Sequence, residues 1–321
     1  MMYSIRHITK FEYSSPVAES VMEVRMEPLT DERQRCVRFD LDVRPRARAY
    51  RFCDHLGNAV HHFDVAAAHE DLVLTAESVA EVFERPPLPE SLPECAWAEI
   101  DRTVESGEHW DYLHESRFIQ STPALRELSR ALDISRRGDP LTCLKRLNQD
   151  LYDWFEYAPN STKVDSPIDD ALERRAGVCQ DFAHIMVTLV REMGIPARYV
   201  SGYLHHGHED HDRSQEDASH AWVECLLPEL GWVGFDPTNA LLVNDRHIRI
   251  ASGRDYADVP PTRGVFKGDA KTELSVAVRV APGPKPAPPD EAEQELSRGT
   301  APEVARAHAR AIQQQQQQQQ Q

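Results

Sequence analysis

The chain has 321 residues and a formal net charge of −17, from 36 basic and 53 acidic residues. This length predicts about two domains. Nucleic-acid binding normally needs a basic face, so the excess of acidic residues argues against a nucleic-acid partner. The same excess weakly favours cationic or amine-bearing substrates.

Hydropathy and cysteine spacing exclude two further classes of protein. No stretch approaches the roughly 20 apolar residues that span a bilayer, and MMYSIRHITKFEY has no apolar segment of signal-peptide type. We therefore expect a cytoplasmic protein with no membrane partner. The six cysteines are scattered without a CxxC pair, so neither a zinc site nor a disulfide framework is indicated, and we expect no cofactor.

The first part of the chain reads as strands. The runs YSIRHITKFEY, VRFDLDVRP and HHFDVAA alternate apolar and polar residues, and turn residues such as the Gly57-Asn58 pair separate them. Several short strands without a helical period predict a β-sandwich-like module over residues 1–85. The proline-rich PPLPESLPE marks a boundary, and we assign 86–120 to a linker and connecting segment.

Helices follow. Thr122-Pro123 and Asp139-Pro140 each pair a capping residue with a first-turn proline, and Ser166-Pro167 starts a third, short helix. After Cys179 the apolar residues keep the i, i+3, i+4, i+7 spacing of a buried helix face, which Gly194 ends. Cys179 is therefore predicted in the first turn of that helix.

A thiol at a helix start is placed to react. The unpaired N–H groups and partial positive charge there stabilise a thiolate, and the same N–H groups can receive the oxyanion of a tetrahedral intermediate. A buried structural cysteine is the alternative explanation of this position. The predicted strands that follow this helix carry a histidine and an aspartate, and they favour the reactive interpretation of the cysteine.

ARYVSGYL, SHAWVECLL and GWVGFDPT read as strands, the last two joined by a tight turn. If Leu227 and Gly231 flank that turn, Asp236 opposes Trp222 and shares a face with His220. In that register Asp236 orients His220 and stabilises its charged form, and His220 takes the proton of Cys179. A one-residue slip would place the two side chains on opposite faces.

Other residues have weaker claims. Trp154, Tyr157 and Trp222 are candidates to line a substrate cleft, although packing is the more common explanation of each of them. Asp181, two residues past the thiol, is expected to bond N–H groups of the first helical turn.

These motifs carry a resemblance. GVCQDFAHIMVTLVREMGIPARYVSGYL and SHAWVECLLPELGWVGFDPTN resemble the core of the transglutaminase-like superfamily, whose fold is related to papain-type thiol enzymes. The family's cysteine in G-x-C-x-D, histidine in H-A-W and aspartate in D-P-T correspond to Cys179, His220 and Asp236. The opening strands are similar, more loosely, to the β-rich module of bacterial relatives.

The resemblance implies an α+β protein with a papain-related, transglutaminase-like catalytic domain, which we assign to 121–280. It also implies attack of the thiolate on a carboxamide or peptide amide of a peptide or protein substrate. An amine acceptor then gives cross-linking and water gives hydrolysis, which we favour slightly.

Two alternative functions remain open. The chain could be a non-catalytic binding module that keeps the fold, or a metal-dependent hydrolase that uses the histidine-rich loop HHGHEDHDRSQED, residues 205–217. A mobile solvated loop is the simpler explanation of that segment.

Residues 281–321 are proline-rich and acidic and end in nine glutamines, so we predict a disordered tail.

Overall fold

A computed structural model of the protein describes residues 1–159, 161–162, 166–207, 212–286, 288–290, 293–294 and 296. The α-helices within this part of the chain are α1 (Ala96–Glu105), α2 (Pro123–Ala131), α3 (Pro140–Trp154), α4 (Ile168–Arg174) and α5 (Cys179–Glu192). The strands are β1 (Met2–Val17), β2 (Glu19–Val24), β3 (Gln34–Arg44), β4 (Tyr50–Cys53), β5 (Ala59–Val65), β6 (His69–Val82), β7 (Glu156–Tyr157), β8 (Ala176–Gly177), β9 (Ala197–Leu204), β10 (His220–Leu227), β11 (Gly231–Asp236), β12 (Leu241–Leu242), β13 (His247–Gly253), β14 (Thr262–Lys267) and β15 (Thr272–Pro282).

The N-terminal module is a sandwich of two four-stranded antiparallel sheets, ordered β15-β1-β6-β3 and β14-β2-β5-β4. Alternation along the strands turns one face of each sheet inward, where Phe11, Phe63 and Leu72 pack in a common core. The predicted β-sandwich-like module is confirmed.

Two of the module's eight strands come from the far end of the chain. Thr272 of β15 pairs with Tyr13 of β1, and Thr262 of β14 pairs with Val24 of β2. The sequence interpretation had placed residues up to 280 in the catalytic domain. An alternating strand shows which of its faces is apolar and not which sheet it joins, so the structure corrects this assignment.

The second unit packs α5 against the sheet β12-β11-β10-β9-β13. The helices leading to it begin as predicted: Thr122 accepts the Leu125 N–H at 3.2 Å, and Asp139 accepts the Leu141 N–H at 3.1 Å. Gly194 follows α5 with φ of +75°, the left-handed conformation that ends the helix.

The two units meet along one face of the long strand β1. Tyr3 and Ile5 pack against Tyr203, Ile248 and other residues of the five-stranded sheet. Further along the same face, Phe11 turns into the sandwich core. Between these two apolar contacts the face borders a cavity that reaches Cys179.

The segments at either side of the predicted catalytic domain also contribute to packing. α1 lies inside the predicted 86–120 connection, and its Ala96 and Ile100 are buried in the catalytic core. In the predicted tail, Leu296 is buried beside Ile8 and Val73, and residues 297–321 lie outside the described part of the chain.

The described helices include none that combines the length and apolar character needed to cross a membrane.

Candidate active site

Cys179 is the first residue of α5, as the spacing predicted. The carboxylate of Asp181 accepts the N–H of Val178 at 2.8 Å, which orders the first turn. Gly177 leaves room for this carboxylate, because a Cβ there would lie 2.8 Å from its oxygen. Burial raises the pKa of Asp181 to about 6. These contacts agree with the structural role expected for Asp181 and fix the backbone that carries the thiol.

His220 and Asp236 lie side by side at the open end of the β10–β11 hairpin. Leu227 pairs with Gly231 and Val223 with Phe235, which is the register assumed from the sequence. Nε2 of His220 lies 2.8 Å from an oxygen of Asp236, and both residues are buried. The hairpin therefore brings together the two side chains that the sequence analysis paired.

Further donors hold the Asp236 carboxylate in place. One oxygen accepts the backbone N–H of Thr238 at 3.1 Å, and the other accepts the Asn239 amide at 2.8 Å. Nε2 of His247 lies 3.3 Å from that second oxygen. This network keeps the carboxylate ionised and oriented toward His220.

The pKa values follow from this geometry. Burial opposes charge on both partners, but the imidazoles of His220 and His247 hold the pKa of Asp236 well below its usual range. Burial likewise lowers the pKa of His220, and the larger combined effect of Asp236 and Cys179 raises it to about 10. The site therefore favours an imidazolium at neutral pH.

Cys179 and His220 line the same cavity. Nδ1 of His220, on the side of the ring away from Asp236, has no hydrogen-bond partner among the described residues. It is the nitrogen left free for exchange of a proton with the thiol, and Cys179 is close enough to help raise the pKa of His220. The arrangement supplies a thiol, a proton carrier and an orienting carboxylate.

The structure places the three aromatic residues predicted to bind substrate in three different environments. Tyr157 lines the cavity, and burial, with a contribution from Cys179, raises the pKa of its hydroxyl, which stays protonated. Trp154 does not line it and stacks under the guanidinium of Arg175 at 4.5 Å. Trp222 is fully buried beneath the histidines, so the prediction that it walls a groove is wrong. The alternation of β10 places Trp222 on the face opposite Ala221 and Val223, which pack with α5.

The histidine-rich loop shows no metal cluster in its described part, and residues 208–211 lie outside the described residues. His206 and Arg246 both contact the carboxylate of Asp212 there. Within the described residues, metal-ligand spacing is met by His220, Asp236 and His247, but these atoms already bond to one another. A hydrogen-bonded network explains them without an ion.

The sequence analysis missed His247 and Asn239. Asn239 stands three residues after Asp236, in the tight turn after β11, where an amide side chain commonly bonds nearby groups. His247 begins β13, and no local pattern joins that strand to the hairpin. Only the sheet order brings His247 to the carboxylate.

Two family models match the chain. The model of the transglutaminase-like superfamily matches residues 129–237, which include all three residues of the site. The model of the bacterial transglutaminase-like N-terminal region matches residues 3–81, the main part of the sandwich.

Curated relatives support the same assignment. An uncharacterized protein of Mycobacterium leprae is 32% identical over 275 residues, covering 85% of this chain and 96% of the relative. Another of Mycobacterium tuberculosis is 34% identical, covering 87% of this chain and 92% of the relative. A protein-glutamine gamma-glutamyltransferase of Pseudomonas aeruginosa is 38% identical over 101 residues, which are 30% of this chain and 14% of that protein.

A solved structure has the same overall fold. It is a protein of Cytophaga hutchinsonii that has been provisionally described as a cysteine protease. It superposes with a TM-score of 0.68 at 22% identity, over 90% of this chain and 93% of the other. At that identity the likeness concerns the fold, and it includes the N-terminal sandwich as well as the catalytic unit.

Proposed function

Since the chain belongs to the transglutaminase-like superfamily, we propose that it is a cysteine-dependent enzyme that cleaves carboxamide or peptide amide bonds through a thioester. Cys179 is the nucleophile, His220 the general base and then acid, and Asp236 the orienting carboxylate. The observation that carries the proposal is the joint placement of a helix-start thiol and a buried histidine–aspartate pair at one cavity.

The reaction follows from the charges at the site. The Cys179 thiolate attacks the amide carbonyl carbon and forms the C–S bond, and the N–H groups at the start of α5 face the developing oxyanion. The C–N bond then breaks as the His220 imidazolium gives its proton to the leaving nitrogen. In the second half, neutral His220 takes a proton from the acceptor, which attacks the thioester and releases Cys179.

Water is the acceptor that we favour. At about 55 M it reaches any open acyl-enzyme, and transfer to an amine needs a site that excludes it. The substrate is then a peptide or protein, and the products are an acid and ammonia or an amine.

The test begins with the reactivity of the thiol. Iodoacetamide labelling of the folded protein across pH, mapped by mass spectrometry, should modify Cys179 ahead of the other five cysteines, and His220→Ala should slow that reaction. Ammonia or amine release from a panel of glutamine-containing peptides then tests the chemistry, with and without hydroxylamine as a competing acceptor.

Matched variants separate the outcomes. Cys179→Ser should abolish release with the fold intact, while Cys53→Ser, at an exposed thiol outside the cavity, should leave it unchanged. Even labelling of all exposed thiols, with an inert Cys179, would instead support the non-catalytic binding module. Activity that survives Cys179→Ser and is lost to chelators would support a metal-dependent hydrolase.

A further inference from the structure

The cavity beside Cys179 has two walls of different origin. The catalytic unit supplies one, with Cys179 and His220. The N-terminal sandwich supplies the other through a group that we call the module wall: His7, Thr9, Pro261, Thr262, Leu274 and Val276. Thr9 of β1 pairs with Val276 of β15, so the same face of both strands borders the cavity.

The described lining of the cavity is uncharged apart from the reacting pair. Among the described residues, its lining contains no Asp, Glu, Lys or Arg side chain, although the whole chain carries a net charge of −17. His7 bonds the hydroxyl of Tyr203 at 2.7 Å, and burial lowers its pKa to about 4, so this ring is neutral at physiological pH. A charged group that entered here would lose its hydration without gaining a counter-ion from the module wall.

Thr9 adds a polar group that the fold leaves unused. Its side chain is 1% exposed, and its hydroxyl has no hydrogen-bond partner among the described residues. A buried hydroxyl without a partner destabilises a protein, whereas a valine of the same shape would not. Thr9 borders the cavity, and rotation about its Cα–Cβ bond can turn the buried hydroxyl toward an entering group.

Resting on the function proposed above, we propose that the module wall is the binding subsite for the group that is attacked. It takes an uncharged amide on a short apolar stem, and the hydroxyl of Thr9 hydrogen-bonds that amide. The cavity volume of about 140 Å³ suits one such group, since a cavity of about 150 Å³ admits benzene. The N-terminal sandwich is thereby part of the active site, and it selects an amide over a lysine-like ammonium group.

The test compares two alkylating reagents on Cys179 in the full-length protein. Iodoacetamide carries a carboxamide and iodomethane carries no polar group, and both lose iodide to the same thiol. Thr9→Val should slow the iodoacetamide reaction about three- to tenfold, the size of one neutral hydrogen bond, and leave the iodomethane rate unchanged. Its melting temperature should be equal or higher, because an unpartnered hydroxyl is removed.

The matched control is Thr75→Val. Thr75 pairs with Ile8 in the same sheet, so it lies on the opposite face and outside the cavity lining. It should change neither rate. Unchanged iodoacetamide reactivity in Thr9→Val, or equal slowing with both reagents, would overturn the subsite while leaving the proposed chemistry standing. A wild-type Cys179 that resists both reagents would overturn the two proposals together.

A second comparison tests the choice of an uncharged group. The two reagents are 2-aminoethyl methanethiosulfonate, which carries an ammonium group, and ethyl methanethiosulfonate, which carries no charge. Each rate of Cys179 modification is divided by the rate at which the same reagent modifies free 2-mercaptoethanol. This ratio should be at least about tenfold lower for the aminoethyl reagent, because its ammonium group must be desolvated. Equal relative rates would overturn the selection against ammonium groups. That result would restore the weak preference for cationic substrates that the net charge suggested.

Discussion

Two buried carboxylates on neighbouring strands of one sheet have opposite kinds of partner. Glu224 of β10 and Asp236 of β11 are both fully buried. Glu224 binds three guanidinium groups, from Arg198 at 2.6 Å, Arg33 at 3.0 Å and Arg249 at 3.7 Å. Asp236 binds two imidazoles and an amide.

The difference separates a structural carboxylate from a reactive one. Arginine keeps its charge at any physiological pH, so the cluster around Glu224 is a fixed joint, and its Arg33 comes from the N-terminal module. Histidine changes its charge within reach of neutral pH, so the cluster around Asp236 can store and release a proton. The same burial therefore serves assembly in one place and proton transfer in the other.

The largest effect is expected from replacing Asp236, the reactive carboxylate. Asp236→Asn removes the charge that stabilises the His220 imidazolium, so turnover and the rate of Cys179 alkylation at neutral pH should fall, turnover by about a thousandfold or more. Asparagine has one oxygen where both oxygens of Asp236 accept hydrogen bonds, so the variant should also be less stable, and urea unfolding followed by circular dichroism gives the folded fraction to which turnover is referred. A turnover loss below about tenfold would contradict the role of Asp236.

The next largest effect is expected from replacing Glu224, the structural carboxylate. Glu224→Gln leaves three buried guanidinium groups without their carboxylate and should lower the free energy of unfolding by about 3–5 kcal/mol. Urea unfolding midpoints measure this loss. Alkylation of Cys179 in the folded fraction should stay within about threefold of wild type, and a larger fall would show that the joint also shapes the reactive site.

The smallest effect sharpens the comparison through pH. The pKa of His220 is raised from 6.5 to about 10 on folding, so its contribution to stability is fully present below pH 6.5 and is lost as the pH rises toward 10. The difference in unfolding free energy between wild type and His220→Ala should therefore shrink between about pH 6.5 and 9.

The Glu224 joint provides the control for this measurement. Its pKa is lowered on folding, because the three arginines outweigh the effect of burial, and Arg33 stays charged until its own pKa of about 10. The difference between wild type and Glu224→Gln should stay flat over the same range. Parallel slopes for the two variants would show that His220 carries no special proton affinity.

Local patterns predicted much of this molecule. The caps at Thr122 and Asp139, the start of α5 at Cys179 and the β10–β11 register all follow from short-range geometry, and the structure has each of them. The pairing of His220 with Asp236 could be inferred because one hairpin carries both residues. Their catalytic roles stay predictions until the labelling experiment is done.

The misplacements share one cause. Trp222 looked like a wall of the cleft because its neighbour His220 is in the site, yet its ring is fully buried and lies against His247 of β13. β14 and β15 looked like part of the catalytic domain because they follow it in the chain. In both cases the outcome depends on which distant surface packs against a strand.

By itself the sequence determined helices α2 to α5, the hairpin and the three residues of the candidate site, because each depends on neighbours within a few turns or one hairpin. The tertiary structure decided that His247 supports Asp236, that Arg33 joins the two units at Glu224, and that Thr9 faces the reacting thiol's cavity. These contacts join residues far apart in the chain. Strand periodicity states only that a face is buried, and the partner is chosen by sheet order and by the packing of whole units.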